Sequence, residues 1–197
     1  MALSGSLQTT IHSHWTLRIE WSASQSISDN TSTVTAKMYW IADSYGATDT
    51  SQTKSGAIYI DGSEYNFSAS ASLKNGQKKL IATKSKTIKH SSNGTKSFSI
   101  YGTFAIGLNI NGYIKEVKIP SKSFTLNTIP RESTLTSGTD LTAGSDRTIS
   151  ISRASSSFSH RVYVDVKDSS GNWYNIKAVD FSTSQTSKST SFSVSEN

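Results

Sequence analysis

Four histidines, His12, His14, His90 and His160, are the side chains of this sequence best suited to metal ligation or acid–base work, and there is no cysteine. His12 and His14 stand two apart, so they share one face of a strand and could in principle grip a metal. No third ligand lies close in sequence, and the pair reads as solvated residues beside a strand start. His160 falls in phase with Val162, Val164 and Val166 and reads as a semi-buried histidine with its bonds satisfied. The carboxylates are scattered singly, with no Asp-x-Asp run of a calcium loop. No phosphate loop, no His-x-x-x-His helix and no Ser-His-Asp group in a strand-turn-helix setting occurs. The absence of cysteine excludes disulfides, thiolate metal sites and a thiol nucleophile. The expectation is a non-enzymatic protein with no catalytic residues, no metal and no cofactor.

Aromatic residues offer more. Tyr39, Tyr59 and Tyr101 fall on strand faces that alternation assigns to solvent. Tyrosine on a rigid sheet can stack on sugars or bases. No acidic residue lies between Glu64 and Glu116, a span that holds Lys84, Lys86 and Lys89 among other lysines. Together these six residues form a candidate binding set for an anionic glycan or a single-stranded nucleic acid. The competing readings are cross-strand packing for the tyrosines and protection of edge strands for the lysines.

The elements that carry these residues are strands. Trp15, Leu17, Ile19 and Trp21 alternate with His14, Thr16, Arg18 and Glu20, the period of a half-buried strand. Val34, Ala36, Met38 and Trp40 repeat the pattern. Between residues 43 and 55 runs a polar loop containing Tyr45 and Gly46. Ala57–Ile60 leads through Asp61-Gly62 into Tyr65, Phe67, Ala69 and Ala71, a hairpin with a type I′ turn. Asn75-Gly76, Asn93-Gly94 and Asn111-Gly112 mark further turns. Leu80, Ala82 and Ile88 are the apolar points of one strand, and Phe98, Ile100, Phe104 and Ile106 those of the next. Tyr113 to Ile119 is a strand that Pro120 ends, and Ser123 to Leu126 is a short edge strand. Lys74 to Ala82 is the only place that admits a turn of helix. About eight strands in the first 125 or so residues is the spacing of a jelly roll or an Ig-like antiparallel sandwich.

A break follows. Pro120 and Pro130 are the only prolines, and the stretch from Phe124 to Ser133 reads as a stiff, extended joint. Residues 1–129 hold thirteen Lys/Arg and seven Asp/Glu, a difference of +6; residues 130–197 hold seven of each. Beyond the joint Leu141–Ser145 reads as a turn, and strands follow at Arg147–Arg153, Phe158–Val166, Trp173–Val179 and Ser189–Val194. Only about five strands fit here, against about seven in an Ig or fibronectin type III domain. Two domains are therefore expected: a basic sandwich over 1–129, and over 130–197 a smaller Ig- or fibronectin-III-like sandwich, unusually small or cut short. Serine and threonine make up roughly a third of the chain, the polar outer faces of such sheets. No apolar run approaches a membrane span, and Met1–Ser6 lacks the pattern of a signal peptide.

Three runs carry a resemblance: Leu17–Ser22 with Asn30–Val34, Ile88–Phe98, and Leu126–Arg131 with its Thr-Ile-Pro-Arg core. Over about residues 15–135 the chain resembles a family of structural proteins of siphophages and prophages of Gram-positive bacteria, in which an opening module ends at such a joint and further sandwiches follow. The resemblance implies a virion protein of the tail, neck or capsid surface, extracellular after lysis, serving assembly or host adhesion. It implies as partners other virion proteins and host cell-wall glycan or teichoic acid, with no membrane and no nucleic acid, and a homo-oligomeric state. It carries over no catalytic residues. The alternatives are a carbohydrate-binding module using Tyr39, Tyr59, Tyr101 and the lysines, and an ancillary domain of a cell-wall hydrolase.

Overall fold

The computed structural model describes residues 1–137 and 146–191. Among them there is no helix, and the chain is all-β. It divides into two compact units, Met1–Ser91 with Thr95–Asn127, and Ser92–Gly94 with Thr128–Asn197. The turn expected at Leu141–Ser145 lies outside the described residues, as do residues 192–194 of the expected last strand.

The first unit holds β1 (Ser4–Ile11), β2 (Trp15–Ser26), β3 (Thr31–Ala42), β4 (Thr53–Ile60), β5 (Ser63–Ser70), β6 (Lys78–Lys89), β7 (Ser97–Phe104), the short pair β8 (Leu108–Asn109) and β9 (Tyr113–Ile114), and β10 (Val117–Thr125). One antiparallel sheet runs β1-β2-β3-β6 and the other β10-β7-β4-β5. Their inner faces form one core: Leu17, Ile19, Trp21, Val34, Met38 and Trp40 from the first, Ile58, Ile60, Phe98, Ile100 and Phe104 from the second. Trp21 meets Phe98 edge-on with ring centroids 5.0 Å apart, and Trp40 meets Phe104 at 6.2 Å. The Trp40 indole N–H is buried and donates to the Ala71 carbonyl at 3.0 Å, which satisfies its one polar atom. Gly102 packs directly against the facing sheet: a Cβ there would lie 2.3 Å from Met38 Cε and 3.1 Å from Ile19 Cδ1.

Antiparallel pairing sorts the connections into two ends. The β2–β3, β4–β5 and β6–β7 turns, and the exit after β10, gather at what we call the turn end. The β1–β2, β3–β4 and β5–β6 connections and the β8–β9 excursion gather at the opposite, loop end. Asp61 and Gly62 have φ of 47° and 78°, the two positive values that a type I′ turn requires.

Buried polar bonds tie the turn end. Asn30 takes φ 54°, which asparagine tolerates better than most residues. Its Nδ2 donates to the His90 and Ser91 carbonyls at 3.3 and 2.9 Å. The Ser32 hydroxyl and His90 Nε2 are 2.7 Å apart, both residues buried. Gln25 Nε2 donates to the Asn127 carbonyl at 2.8 Å. The Leu126 N–H donates to Lys96 O at 3.0 Å. Leu126 is fully buried.

Five sequence expectations change. β1 was not expected, because its inward positions Gly5, Leu7, Thr9 and Ile11 mix apolar with small and polar residues. Leu80 is half exposed and Ile81 buried instead, because the register slips between Met38 and Tyr39. Lys74–Ala82 makes no helical turn; an Asn75-Gly76 turn feeds directly into β6. Pro120 does not end a strand. β10 continues through it on the sheet edge, with an irregularity between Ile119 and Lys122 that leaves proline free of the ladder. Tyr113 and Ile114 belong to the separate β8–β9 hairpin.

The second unit contains β11 (Ser133–Ser137), β12 (Asp146–Arg153), β13 (His160–Lys167), β14 (Trp173–Phe181) and β15 (Ser187–Ser191). Sheets β11-β12-β15 and β13-β14 enclose a core of Ile149, Ile151, Val164, Val179 and Phe181. Polar bonds supplement it. Arg153 donates to the carbonyls of Ser182 and Gln185 at 2.8 Å each, and to that of Phe158. Arg161 grips Asp180 with two bonds of 2.6 and 3.0 Å across β13 and β14. Within this unit the Ile129 N–H donates to Gly94 O at 2.9 Å, and Ile129 is fully buried. Gly94 has φ 80°, and a Cβ there would lie 1.9 Å from Ile129 O.

Candidate functional site

The six residues singled out by sequence occupy three separate places. Tyr59 and Tyr101 are paired across β4 and β7 on the outer face of their sheet, stacked with centroids 4.3 Å apart and planes 5° from parallel. Each ring thereby covers one face of the other. Tyr59 has its pKa raised, by the cost of removing it from water and then by the charge of Glu64 beside it. Tyr39 is on the outer face of the other sheet, with the Lys78 ammonium 4.1 Å from its ring centre. That contact occupies one face of the ring. Lys84 and Lys86 share the inward alternation of Ala82 and Ile88 on β6, an edge strand. Inward lysines on an edge oppose pairing with another chain. Lys86 Nζ donates to the Asp61 carbonyl at 2.7 Å. Lys89 is exposed at the end of β6 opposite Thr31.

The loop end collects a different set, and Asp43 is its hub. Its Oδ2 is 2.8 Å from His14 Nδ1. Its Oδ1 accepts the N–H groups of Tyr45 and Gly46 at 2.8 and 2.9 Å. Its own carbonyl accepts the Gly76 N–H at 2.6 Å, and its N–H donates to His14 O at 3.0 Å. One residue thus fastens the β1–β2, β3–β4 and β5–β6 connections. The bond to His14 and then those to the Tyr45 and Gly46 amides hold the Asp43 pKa below its ordinary value. Thr48 and Leu73 exchange backbone bonds of 3.0 and 2.9 Å, and Asn75 Nδ2 donates to Ser44 O at 2.9 Å. Loops so bonded are organised before any partner arrives.

On this frame stand exposed aromatic rings. Tyr45 is 81% exposed and Tyr113, on β9, 71%. His14 lies between Tyr45 and Trp15, at 5.9 and 5.8 Å between ring centroids. Ala47, Thr48 and Asp49 are shared by the linings of two clefts. One cleft, of about 970 Å³, is lined also by Lys74, Asn75 and Gln77. The other, of about 470 Å³, is lined also by Trp15, Asn109 and Asn111. Trp15 is the aromatic residue among the linings of these two clefts, beside amide side chains and Asp49. Among the described residues no three His, Asp or Glu side chains group as metal ligands would.

Sequence reasoning placed Tyr45 in a polar loop and His14 beside a strand start, and did not join them. The signal available was the exposed Tyr45 inside an aperiodic run. What no pattern revealed was the convergence of three connections on Asp43. His160, expected to be satisfied, has Nδ1 3.0 Å from the Ser133 hydroxyl, while its buried Nε2 has no protein partner. Burial, then the charge of Arg153, lowers its pKa.

Searches of curated proteins and of solved structures find no match to the chain. Residues 13–193 match the family described as siphovirus protein of unknown function (DUF859), and that span covers most of both units. The chain belongs to this family of siphovirus proteins.

Proposed function

We propose that the protein is a non-enzymatic structural component of the siphovirus particle, carried on its tail, neck or capsid surface, and that it holds the host surface through the loop end of its first unit. The observation that carries this reading is the Asp43-centred lock beneath Tyr45. A lock that fixes three connections while leaving large aromatic rings in water serves recognition better than it serves folding. Membership of a siphovirus family supports a place in the particle. The excess of thirteen basic over seven acidic residues in 1–129 supports approach to an anionic envelope. Cell-wall glycan and teichoic acid are the two partner classes that fit an adhesive protein of this kind.

Immunogold labelling of purified particles tests the placement. Label on intact particles is the expected result, and absence of the protein from them overturns it. Adsorption assays test the adhesion: antibody fragments raised against the loop end are expected to slow attachment of particles to cells. Undiminished attachment with those fragments bound removes the adhesive role.

A further inference from the structure

Glycine follows asparagine at three places, Asn75-Gly76, Asn93-Gly94 and Asn111-Gly112. Such a pair can modify itself. The glycine nitrogen attacks the carbon of the asparagine side-chain amide, and a new C–N bond closes a succinimide ring. The old amide C–N bond breaks, and its nitrogen leaves as ammonia with the proton of the glycine N–H. Water then adds to either ring carbonyl and opens the ring to aspartate or isoaspartate. Glycine permits the attack because it has no Cβ to obstruct the approach. The step also needs a glycine N–H with no acceptor, an amide free to turn, and backbone able to bend into the ring.

Independently of the adhesion reading, the geometry points to Asn111 as a site of spontaneous deamidation, with the other two pairs shielded by the fold. Asn111 and Gly112 are both exposed. Neither the Asn111 side-chain amide nor the Gly112 N–H has a hydrogen-bond partner among the described residues. The Gly112 carbonyl accepts the Ile110 N–H at 2.8 Å, which leaves the nitrogen side of the residue open. A Cβ on Gly112 would meet nothing within 4 Å. The pair joins β8 to β9, strands of two residues each. So short a hairpin opens at little cost.

Asn75 is equally exposed but is held at both reacting groups. Its Nδ2 donates to Ser44 O at 2.9 Å, and the Gly76 N–H donates to Asp43 O at 2.6 Å. Attack there would break both bonds, so the connection that Asp43 fastens also shields Asn75. Asn93 is shielded by packing. Gly94 is buried, its carbonyl accepts the Ile129 N–H at 2.9 Å, and a Cβ on it would lie 1.9 Å from Ile129 O. Backbone so enclosed has no room to close the ring. Conversion of Asn111 places a carboxylate in the lining of the second cleft, with Trp15 and Asp49. It lowers the net charge of +6 by one. The isoaspartate product also routes the main chain through the former side chain between β8 and β9.

The test incubates the full chain in mildly alkaline buffer at body temperature, folded and, in parallel, unfolded in urea. Samples taken over time are digested, and mass spectrometry follows the amide-to-acid change at each of the three asparagines. In urea the three are expected to convert at similar rates. In the folded chain Asn111 is expected to convert at least about tenfold faster than Asn75 and Asn93, because theirs must first break bonds or packing. Asn111→Ser is expected to remove the more acidic species that accumulates on ion exchange. Asp43→Ala is expected to speed conversion at Asn75, with the Asn93 rate unchanged as the sign that the fold is kept. Conversion of Asn75 or Asn93 as fast as Asn111 in the folded chain overturns the assignment. So does an Asn111 retarded by folding as strongly as the other two. An Asn75 rate unmoved by Asp43→Ala overturns the shielding by that connection.

Discussion

At the turn end of the first sandwich, Asn30, Ser32 and His90 bury their polar groups against one another and the chain turns in a few residues. At the loop end, Asp43 makes as many bonds, yet it is solvent-accessible and so are the rings around it. Both ends are tied by short polar bonds, but the two sets of bonds act differently. Buried bonds at the turn end stabilise the fold, because breaking one strands a polar group away from water. Exposed bonds at the loop end select one loop conformation, because water can replace them at little cost in stability. The two kinds of tie teach that a polar cluster is read by its burial before its chemistry.

Substitutions can break that contrast, beginning with the largest effect. Asn30→Ala removes two bonds and places a Cβ-bearing residue of poorer tolerance at φ 54°. It is expected to cost about 2–4 kcal/mol in urea unfolding and to leave the affinity of the folded protein for isolated host cell walls unchanged. Ser32→Ala removes the buried 2.7 Å bond to His90 Nε2 and is expected to cost about 1–3 kcal/mol, again without effect on binding. If either variant unfolds like the parent, the turn end is not the stabilising knot described.

Asp43→Ala is the mirror experiment. Retention on walls is expected to fall about tenfold through loss of preorganised loops, with the midpoint of thermal unfolding little moved. A large fall in that midpoint with normal retention reverses the assignment of the two ends.

Acid separates two further groups by the pH range in which each acts. Asp43 has a lowered pKa, so its contribution is complete above its ordinary value of 3.8 and is lost as pH falls through the depressed one. Wall retention is therefore expected to persist through mild acid. His160 in the second unit has a lowered pKa, so the unfolded chain takes up its proton first as pH falls below 6.5. The second unit is expected to lose stability in mild acid, from about 6.5 downward, before the first does. His160→Gln is expected to flatten that dependence, followed as unfolding midpoints at a series of pH values. A second unit whose midpoint does not move above pH 5 contradicts it.

Much of the fold was legible in the order of residues. Trp15 to Trp21 and Val34 to Trp40 alternate without a fault, and Asp61-Gly62 can hardly be anything but a hairpin turn. What failed did so where backbone irregularity or weak alternation hides the period: the slip that exchanges Leu80 for Ile81, the irregularity that carries β10 past Pro120, and the mixed inner face of β1. The three runs behind the phage resemblance include Asn30, Ser32, His90, Gly94, Leu126 and Ile129, which hold structure together. The site was less legible. Tyr39, Tyr59 and Tyr101 are visible as aromatics out of phase, but sequence does not tell whether a ring face is occupied. His14, the Asp43 and Tyr45 pair, and Tyr113 lie in three stretches of chain that only strand topology brings to one end.

The most direct measurement sets the two groups of tyrosines against each other on the same isolated walls. One variant combines Tyr45→Ala and Tyr113→Ala; the other combines Tyr39→Ala, Tyr59→Ala and Tyr101→Ala. Loss of retention in the double variant, with retention kept in the folded triple variant, is the result expected if the loop end is the binding face. Retention kept in the double variant and lost in the triple contradicts it and returns the site to the sheet faces.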